Sequence, residues 1–423
     1  MAEPTLARRQ RLLLLVSPTT YRAAAFIEAA QRLDVELARG IDIPTGLTEM
    51  WDVPLAVDFT NVAVATERIV EYARANPLDA IVAVDDGATV LAARAAAALG
   101  LPHNPPESAE AAQDKGIMRR LMAAGGAACP VFRRFALTDD PRAIAAKVTF
   151  PCVLKPLRLS GSRGVMRADD PDQFVAAFYR LERLLLGDGN PVEGTEILVE
   201  DFIPGVEVAL EGLLTNGELH VLALFDKPDP LDGPFFEETI YVTPSRLPNP
   251  TQAAIGACAA RAAAAIGLRD GPVHAELRVN DAGPWMLEIA GRSIGGLCST
   301  ILEFGAGMCL EELILRHALG REIPSFSRGG AAAGVMMIPI PRGGILRGIA
   351  GVEAARAVAH VTGVEITAKL HSSIIPLPEG NAYLGFIFAR ADDPVTVEAA
   401  LREAHAALRF EIAPTLPVMR AVV

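Results

Sequence analysis

Short, wholly apolar runs alternate with alanine-rich stretches through the first hundred residues, and this rhythm constrains the fold more than any other feature of the chain. The runs at 12–16 and 80–84 are too short for helices and carry no polar residue, so each reads as a strand buried on both faces. The segment 88–99, closed by Gly100, reads as a helix. Both-face-buried strands separated by helices make a βαβ layer around a parallel sheet. A chain of 423 residues exceeds what one hydrophobic core can serve, so roughly two to four packed units are expected.

Composition narrows the function. A net charge of −12 with dispersed Lys and Arg disfavours nucleic acid or an anionic membrane as partner, because a phosphate backbone demands a clustered basic surface. Small-molecule partners are the expectation. The five cysteines are widely spaced and contain no CxxC pair, which argues against a disulfide framework or a thiolate zinc site and for a reducing cytoplasm. Arg8, Arg9 and Arg11 precede an apolar run too short for a signal peptide, and no apolar stretch reaches the ~20 residues of a membrane span.

Past the prolines Pro102, Pro105 and Pro106, one helix is expected over 108–124, stopped by Gly125-Gly126. From Phe150 the pattern turns to strands: 152–156, 197–200, and 206–214 joined through Thr215-Asn216-Gly217 to 218–225, where Asn-Gly signals a hairpin. The stretch 226–250 lacks periodicity and reads as a long loop, a candidate lid. A helix at 251–266, a second hairpin at 272–289, a helix at 310–319, strands at 334–340 and 382–389 and a helix at 394–408 complete the reading.

The second hairpin carries the sharpest chemistry. Pairing Val279 with Trp285 across a turn at 280–284 sets Glu276 opposite Glu288. His274, Glu276, Arg278 and Glu288 then share one face, while Val273, Ala275, Leu277, Leu287 and Ile289 face the core. Two carboxylates with Cβ atoms ~5 Å apart repel unless a cation lies between them. Mg²⁺ accepts a few carboxylate oxygens and completes its octahedron with phosphate and water, which suits a nucleotide site. The alternatives are two exposed glutamates on a solvated face, or one of them paired with Arg278. Arg292 follows, where its fork could hold a carboxylate or a phosphoryl charge, and Gly295-Gly296 would let a ligand approach the backbone. A surface arginine before a flexible turn reads equally well.

Two lysines, Lys115 at a helix start and Lys155 ending an apolar strand, need anionic partners, and a polyphosphate is suitable. The turn Ser160-Gly161-Ser162-Arg163-Gly164 could offer backbone N–H groups to phosphate, although it lacks the Walker ending and could be an ordinary turn. The run Glu200-Asp201-Phe202-Ile203-Pro204-Gly205-Val206-Glu207 goes strand, turn, strand, where backbone and apolar groups could take an adenine and Glu207 the ribose hydroxyls. It also reads as a plain acidic turn. The seven histidines show no HxxxH spacing and no Gly-x-Ser-x-Gly elbow occurs.

Taken in order, these pieces resemble the ATP-grasp superfamily over roughly residues 1–325. The tail from His371 through Pro378-Glu379-Gly380 and Tyr383-Leu384-Gly385-Phe386 to Ala407 is similar to the C-terminal part of biotin-carboxylase-like members and of bacterial L-amino acid ligases. The resemblance implies mixed α/β and α+β structure: a Rossmann-like βαβ domain at 1–105, an ATP-grasp domain at 106–325 with a small lid subdomain at about 150–205, and an α+β domain at 326–423. It implies ATP with Mg²⁺ or Mn²⁺ as cofactors, Lys115, Lys155, Ser160 and Ser162 on the phosphates, and Glu200, Phe202 and Ile203 around adenine. Glu207 would take the ribose, Glu276 and Glu288 the metal, and His274, Arg292, Gly295 and Gly296 the substrate, with Arg292 and Lys155 catalytic. Ala290 stands where the family commonly has asparagine as a further metal ligand, which puts a two-metal site in doubt and favours the amino acid ligase branch. The implied activity is ADP-forming carboxylate–amine ligation. A biotin-carboxylase-like or formate-using purine enzyme and a non-catalytic nucleotide-binding module are the alternatives. A homodimer is expected only because homodimers are common.

Overall fold

The computed structural model describes residues 8–44 and 55–415. Its first unit is a four-stranded parallel sheet in the order Leu55–Val57, Glu36–Asp42, Arg11–Val16, Ala80–Ala83. Side chains alternate along Arg11–Val16. Leu12 and Leu14 pack with Phe26, Leu313 and Ile314, whereas Leu13 and Leu15 pack with Ile69 and Leu91 on the opposite face. Burial on both sides is why the run carries no polar residue. The helix Thr89–Leu99 ends at Gly100, whose φ of 69° closes the turn.

The helix expected over 108–124 is two helices, Pro106–Gln113 and Lys115–Ala124. Asp114 breaks them. Its backbone is extended and its side chain accepts hydrogen bonds from the amides of Gly116 and Ile117, so it caps the second helix where the sequence pattern continues uninterrupted. The cap places Lys115 in the first helical turn and buries it.

An eight-stranded sheet forms the body of the molecule, in the order Gly283–Ala290, Gly271–Asn280, Val206–Thr215, Glu218–Lys227, Ile240–Thr243, Ala332–Ile338, Gly385–Ala391, Val361–Ile366. The Asn-Gly hairpin forms as expected, with Asn216 and Gly217 at φ of 52° and 89° between the paired Thr215 and Glu218. The alanine-rich helix Asn249–Ile266 lies on one face and packs Ile255, Cys258 and Ala262 against Val273, Ala275 and Met286. Most of the expected loop over 226–250 lies outside helix and strand, but one strand interrupts it. That strand, Ile240–Thr243, is fully buried and pairs with Ala332–Ile338, so the sheet runs through the boundary drawn at residue 325. Four residues of Ile-Tyr-Val-Thr between a proline-rich segment and Pro244 are too few to show a period.

A smaller four-stranded sheet, ordered Phe132–Ala136, Glu196–Asp201, Cys152–Pro156, Met166–Ala168, is covered by the helix Pro171–Gly187 through Phe174, Phe178 and Leu181. It stands over the large sheet and encloses a cleft between the two. No described helix is long and apolar enough to cross a membrane, and the five cysteines are free thiols.

The turn that carries the chain from the small sheet to the large one is pinned at Gly205. Its φ is 124°, and a Cβ there would lie 2.2 Å from the carbonyl oxygen of Val279 in the hairpin. Gly205→Ala is therefore expected to destabilise the protein by ~1–3 kcal/mol, read as a lowered thermal midpoint, with nucleotide affinity reduced in the same variant. An unchanged midpoint would show that this junction yields freely.

Candidate active site

The cleft between the sheets is a concave site lined by residues of both sheets. Twelve of the fourteen residues singled out from the sequence line it: Lys115, Lys155, Ser160, Ser162, Glu200, Phe202, Ile203, Glu207, His274, Glu276, Glu288 and Arg292. Gly295 and Gly296 do not. The chain turns away just before them, because the buried Glu211 carboxylate accepts the Ile294 amide at 3.0 Å, and Gly296 packs against the Phe386 ring.

The hairpin supplies the acidic wall. Glu276 and Glu288 are directly opposed, but the register around them differs from the expected one. The turn is tighter, with Asn280 paired to Gly283, and a bulge lies between Glu276 and Leu277, whose partners are Glu288 and Met286. Leu287 is the extra residue. The bulge moves Met286 into the core in its place and leaves Leu287 on the cleft wall. The Leu287 carbonyl accepts a hydrogen bond from Arg119.

Cations converge on these carboxylates. Lys115 Nζ lies 3.1 Å from Glu288 Oε1 and donates to the Leu159 carbonyl at 2.7 Å, so it links hairpin and glycine-rich turn. Lys155 Nζ lies 2.6 Å from Glu200 Oε2, while the fully buried Arg119 binds the other oxygen. Burial opposes charge on Glu200, but Arg119 and Lys155 override it and hold its carboxyl below the ordinary range. The Glu200 side chain thus orients Lys155, and only its strand remains beside the expected adenine subsite. The Phe202 ring lies beneath two guanidiniums, 4.1 Å from Arg167 and 4.8 Å from Arg278.

A second group of charges was not read from the sequence. Lys227, the last residue of Glu218–Lys227, is buried and reaches Glu207 at 2.9 Å, Glu276 at 3.8 Å and Glu238 at closer range. One carboxylate oxygen from each of Glu207, Glu238 and Glu276 lies within 4.8 Å of the others. Arg278 takes the remaining oxygen of Glu207 at 3.3 Å, so both oxygens of the expected ribose ligand are engaged. Burial and the nearby Glu276 push the Glu238 carboxyl up to about 7. Burial also disfavours charge on Glu276, yet Lys227 and His274 outweigh it and hold that carboxyl low. His274 lies between Glu211, 3.2 Å from Nδ1, and Glu276, 3.6 Å from Nε2; burial works against its charge, but the two acids raise its basicity. Lys227 carried the same signal as Lys155, a lysine closing an apolar strand, whereas Glu238 stands in a stretch without pattern.

Arg292 extends its fork into the cleft from the end of the hairpin. Asp86, at the end of the first unit, lies 2.8 Å away, and although burial opposes both charges each stabilises the other. Six carboxylates line the cleft against four lysines and arginines. Glu276 and Glu288, opposed across the hairpin, and Glu207 and Glu238, each with a carboxylate oxygen within 4.8 Å of one on Glu276, are hard oxygen donors of the kind that Mg²⁺ or Mn²⁺ prefers.

Comparison with known proteins agrees with this geometry. Residues 148–301 match the family model of the ATP-grasp domain, 40–103 the ATP-grasp N-terminal domain, and 336–413 the L-amino acid ligase C-terminal domain 2. The chain is 26% identical to alanine–anticapsin ligase of Bacillus subtilis over 265 residues, which is 59% of this chain and 56% of that protein. It is 31% identical to carnosine synthase 1 of Gallus gallus over 306 residues, 68% of this chain and 33% of that protein. It thus spans about half the length of the first and a third of the second. The crystal structure of L-amino acid ligase from Bacillus licheniformis superposes with a TM-score of 0.80 at 26% identity, covering 96% of this chain and 99% of that one.

The crowding of acids has a measurable consequence without nucleotide or metal. Folding raises the Glu238 carboxyl from 4.5 to about 7, so its contribution to stability is complete below the unfolded value and is lost as pH rises through about 7. Glu238→Gln keeps the neutral form at every pH. The variant is expected to unfold at higher temperature than the wild type near pH 8 and at a similar temperature near pH 5. Equal pH profiles for the two proteins would contradict the assigned crowding.

Proposed function

The chain is an ATP-grasp protein of the carboxylate–amine ligase type, and on that premise we propose that it activates an amino acid or related carboxylate as an acyl phosphate and couples it to an amine, forming a dipeptide or aminoacyl amide. The observation that carries the reading is the single cleft in which Lys115, Lys155, Glu276, Glu288 and Arg292 meet. The order of the domains, ATP-grasp followed by an L-amino acid ligase C-terminal part, supports it.

In this reading the triphosphate lies along Lys115, Lys155 and the turn at 160–162. Mg²⁺ held by Glu276 and Glu288 would neutralise phosphate charge and orient the terminal phosphoryl group. A carboxylate oxygen of the first substrate attacks the γ-phosphorus, and ADP leaves. Arg292, held by Asp86, presents its free edge to the acyl phosphate. An amine then attacks the acyl carbon, phosphate departs, and the nitrogen gives up a proton. The protein's part is positioning and charge stabilisation, and closing the small sheet over the cleft excludes water from the acyl phosphate.

The test is release of phosphate from ATP over pairs of amino acids with Mg²⁺ present. ADP and phosphate are expected in equal amounts with a new amide; AMP and pyrophosphate would refute the proposal. Glu276→Ala and Glu288→Ala should each lower kcat/KM by ~10²-fold or more, and Arg292→Lys should reduce kcat more than it changes nucleotide affinity.

A further inference from the structure

The turn that supplies Ser160, Gly161 and Ser162 to the cleft is not held by its own subdomain alone. Gly161, Ser162 and Gly164 have φ of 63°, 56° and 75°. Serine disfavours the left-handed region, so such a turn persists only where its surroundings over-determine it. The surroundings come from the far end of the chain. The Gly164 amide donates to the Pro378 carbonyl at 2.8 Å, and Arg163 Nε donates to the Glu379 carbonyl at 2.8 Å. Arg180, on the helix Pro171–Gly187, grips the Glu379 carboxylate with both arms at 2.6 and 2.9 Å.

The receiving turn is rigid. The Gly380 amide donates to the Pro376 carbonyl at 2.9 Å, and a Cβ on Gly380 would fall 1.8 Å from the Ile375 carbonyl oxygen, so the backbone folds back on itself without slack. The small sheet is tied on its other side as well. The Arg167 amide donates to the Pro234 carbonyl at 2.9 Å, and Arg180 also lies 4.9 Å from the Phe235 ring. Arg180 therefore touches both segments that meet the small sheet, and the next residue after Phe235, Phe236, lines the cleft.

We propose that Arg180 and Glu379 are positioning residues for the nucleotide: their ion pair latches the glycine-rich turn against the C-terminal turn at 376–380 and holds the small sheet closed over the cleft. The inference rests on reading the cleft as an ATP site. The two side chains are 38% and 40% exposed, so water screens the pair and keeps its contribution modest. A modest, solvent-accessible latch suits a lid that must open at every turnover to release ADP. The link also couples the C-terminal unit, which supplies no residue to the lining of the cleft, to the nucleotide that the cleft receives.

The experiment compares Arg180→Glu, Glu379→Arg and the double exchange with the wild type. Two readouts are taken: amide hydrogen exchange over 160–165 in nucleotide-free protein, and the Kd for MgATP by calorimetry. Each single exchange is expected to speed exchange in the turn and weaken MgATP roughly threefold to tenfold with little change in thermal midpoint, and the double exchange to restore both. Singles that only lower the midpoint, or a double that restores nothing, overturn the latch. A wild type that binds no MgATP overturns the nucleotide reading and the role given to the latch with it. MgATP binding that no variant alters overturns the latch alone.

Discussion

Two like charges facing each other across a β-ribbon are the constraint around which the cleft is built. Glu276 and Glu288 cannot remain ionised as neighbours unless cations are brought to them, and the fold brings one to each. Lys115 reaches Glu288 from a helix that begins only because Asp114 interrupts the preceding one. His274 reaches Glu276 from two residues earlier on the same strand, and Lys227 reaches it from the end of Glu218–Lys227, one strand beyond Val206–Thr215. Lys115, Lys227 and His274 are buried, so each of these bases has been stripped of water and depends on its acidic partner staying in place.

The same logic runs through Arg119, Glu200 and Lys155. Arg119 is wholly inaccessible and binds both Glu200 and the carbonyl exposed by the bulge at Leu287. A buried network of this kind is a poor source of stability, since a well-packed apolar replacement is often as good, but removing one member leaves an unpaired charge in a dry interior. Its value is geometric. It fixes the helix, the hairpin and the small sheet relative to one another and orients Lys155 at the cleft.

Much of this was legible in the sequence, for identifiable reasons. The first unit declared itself because strands buried on both faces admit no polar residue, as Leu12 to Leu15 show. The opposition of Glu276 and Glu288 was found although the assumed turn was wrong. The real turn is tighter by one position and the bulge at Leu287 adds one back, so the two departures cancel where the acids meet. What remained hidden had no local signal. The bulge contains no glycine, the strand Ile240–Thr243 is too short to alternate, and Glu238 gains its meaning only from Lys227, Glu207 and Glu276, which the fold brings to it from elsewhere in the chain. Gly295 and Gly296 were credited with contact because glycine permits close approach; Glu211 directs the chain elsewhere, and nothing near Gly295 in the sequence records that.

The charge balance of the cleft bears on what it can take up. Six carboxylates line it against four lysines and arginines, and Lys227 stands just behind them. A triphosphate is itself a polyanion, so it cannot approach this wall alone against uncompensated acids without a large electrostatic penalty. Burial and the neighbouring Glu276 raise the Glu238 carboxyl to about 7, as expected of an acid crowded by like charge. Ala290 adds no ligand atom to the hairpin, yet Glu238 brings a further carboxylate oxygen within 4.8 Å of one on Glu276, so the supply of oxygen donors does not depend on residue 290. A divalent cation accompanying the nucleotide would satisfy both sides at once, in keeping with the proposal that the cleft takes the cation–nucleotide complex.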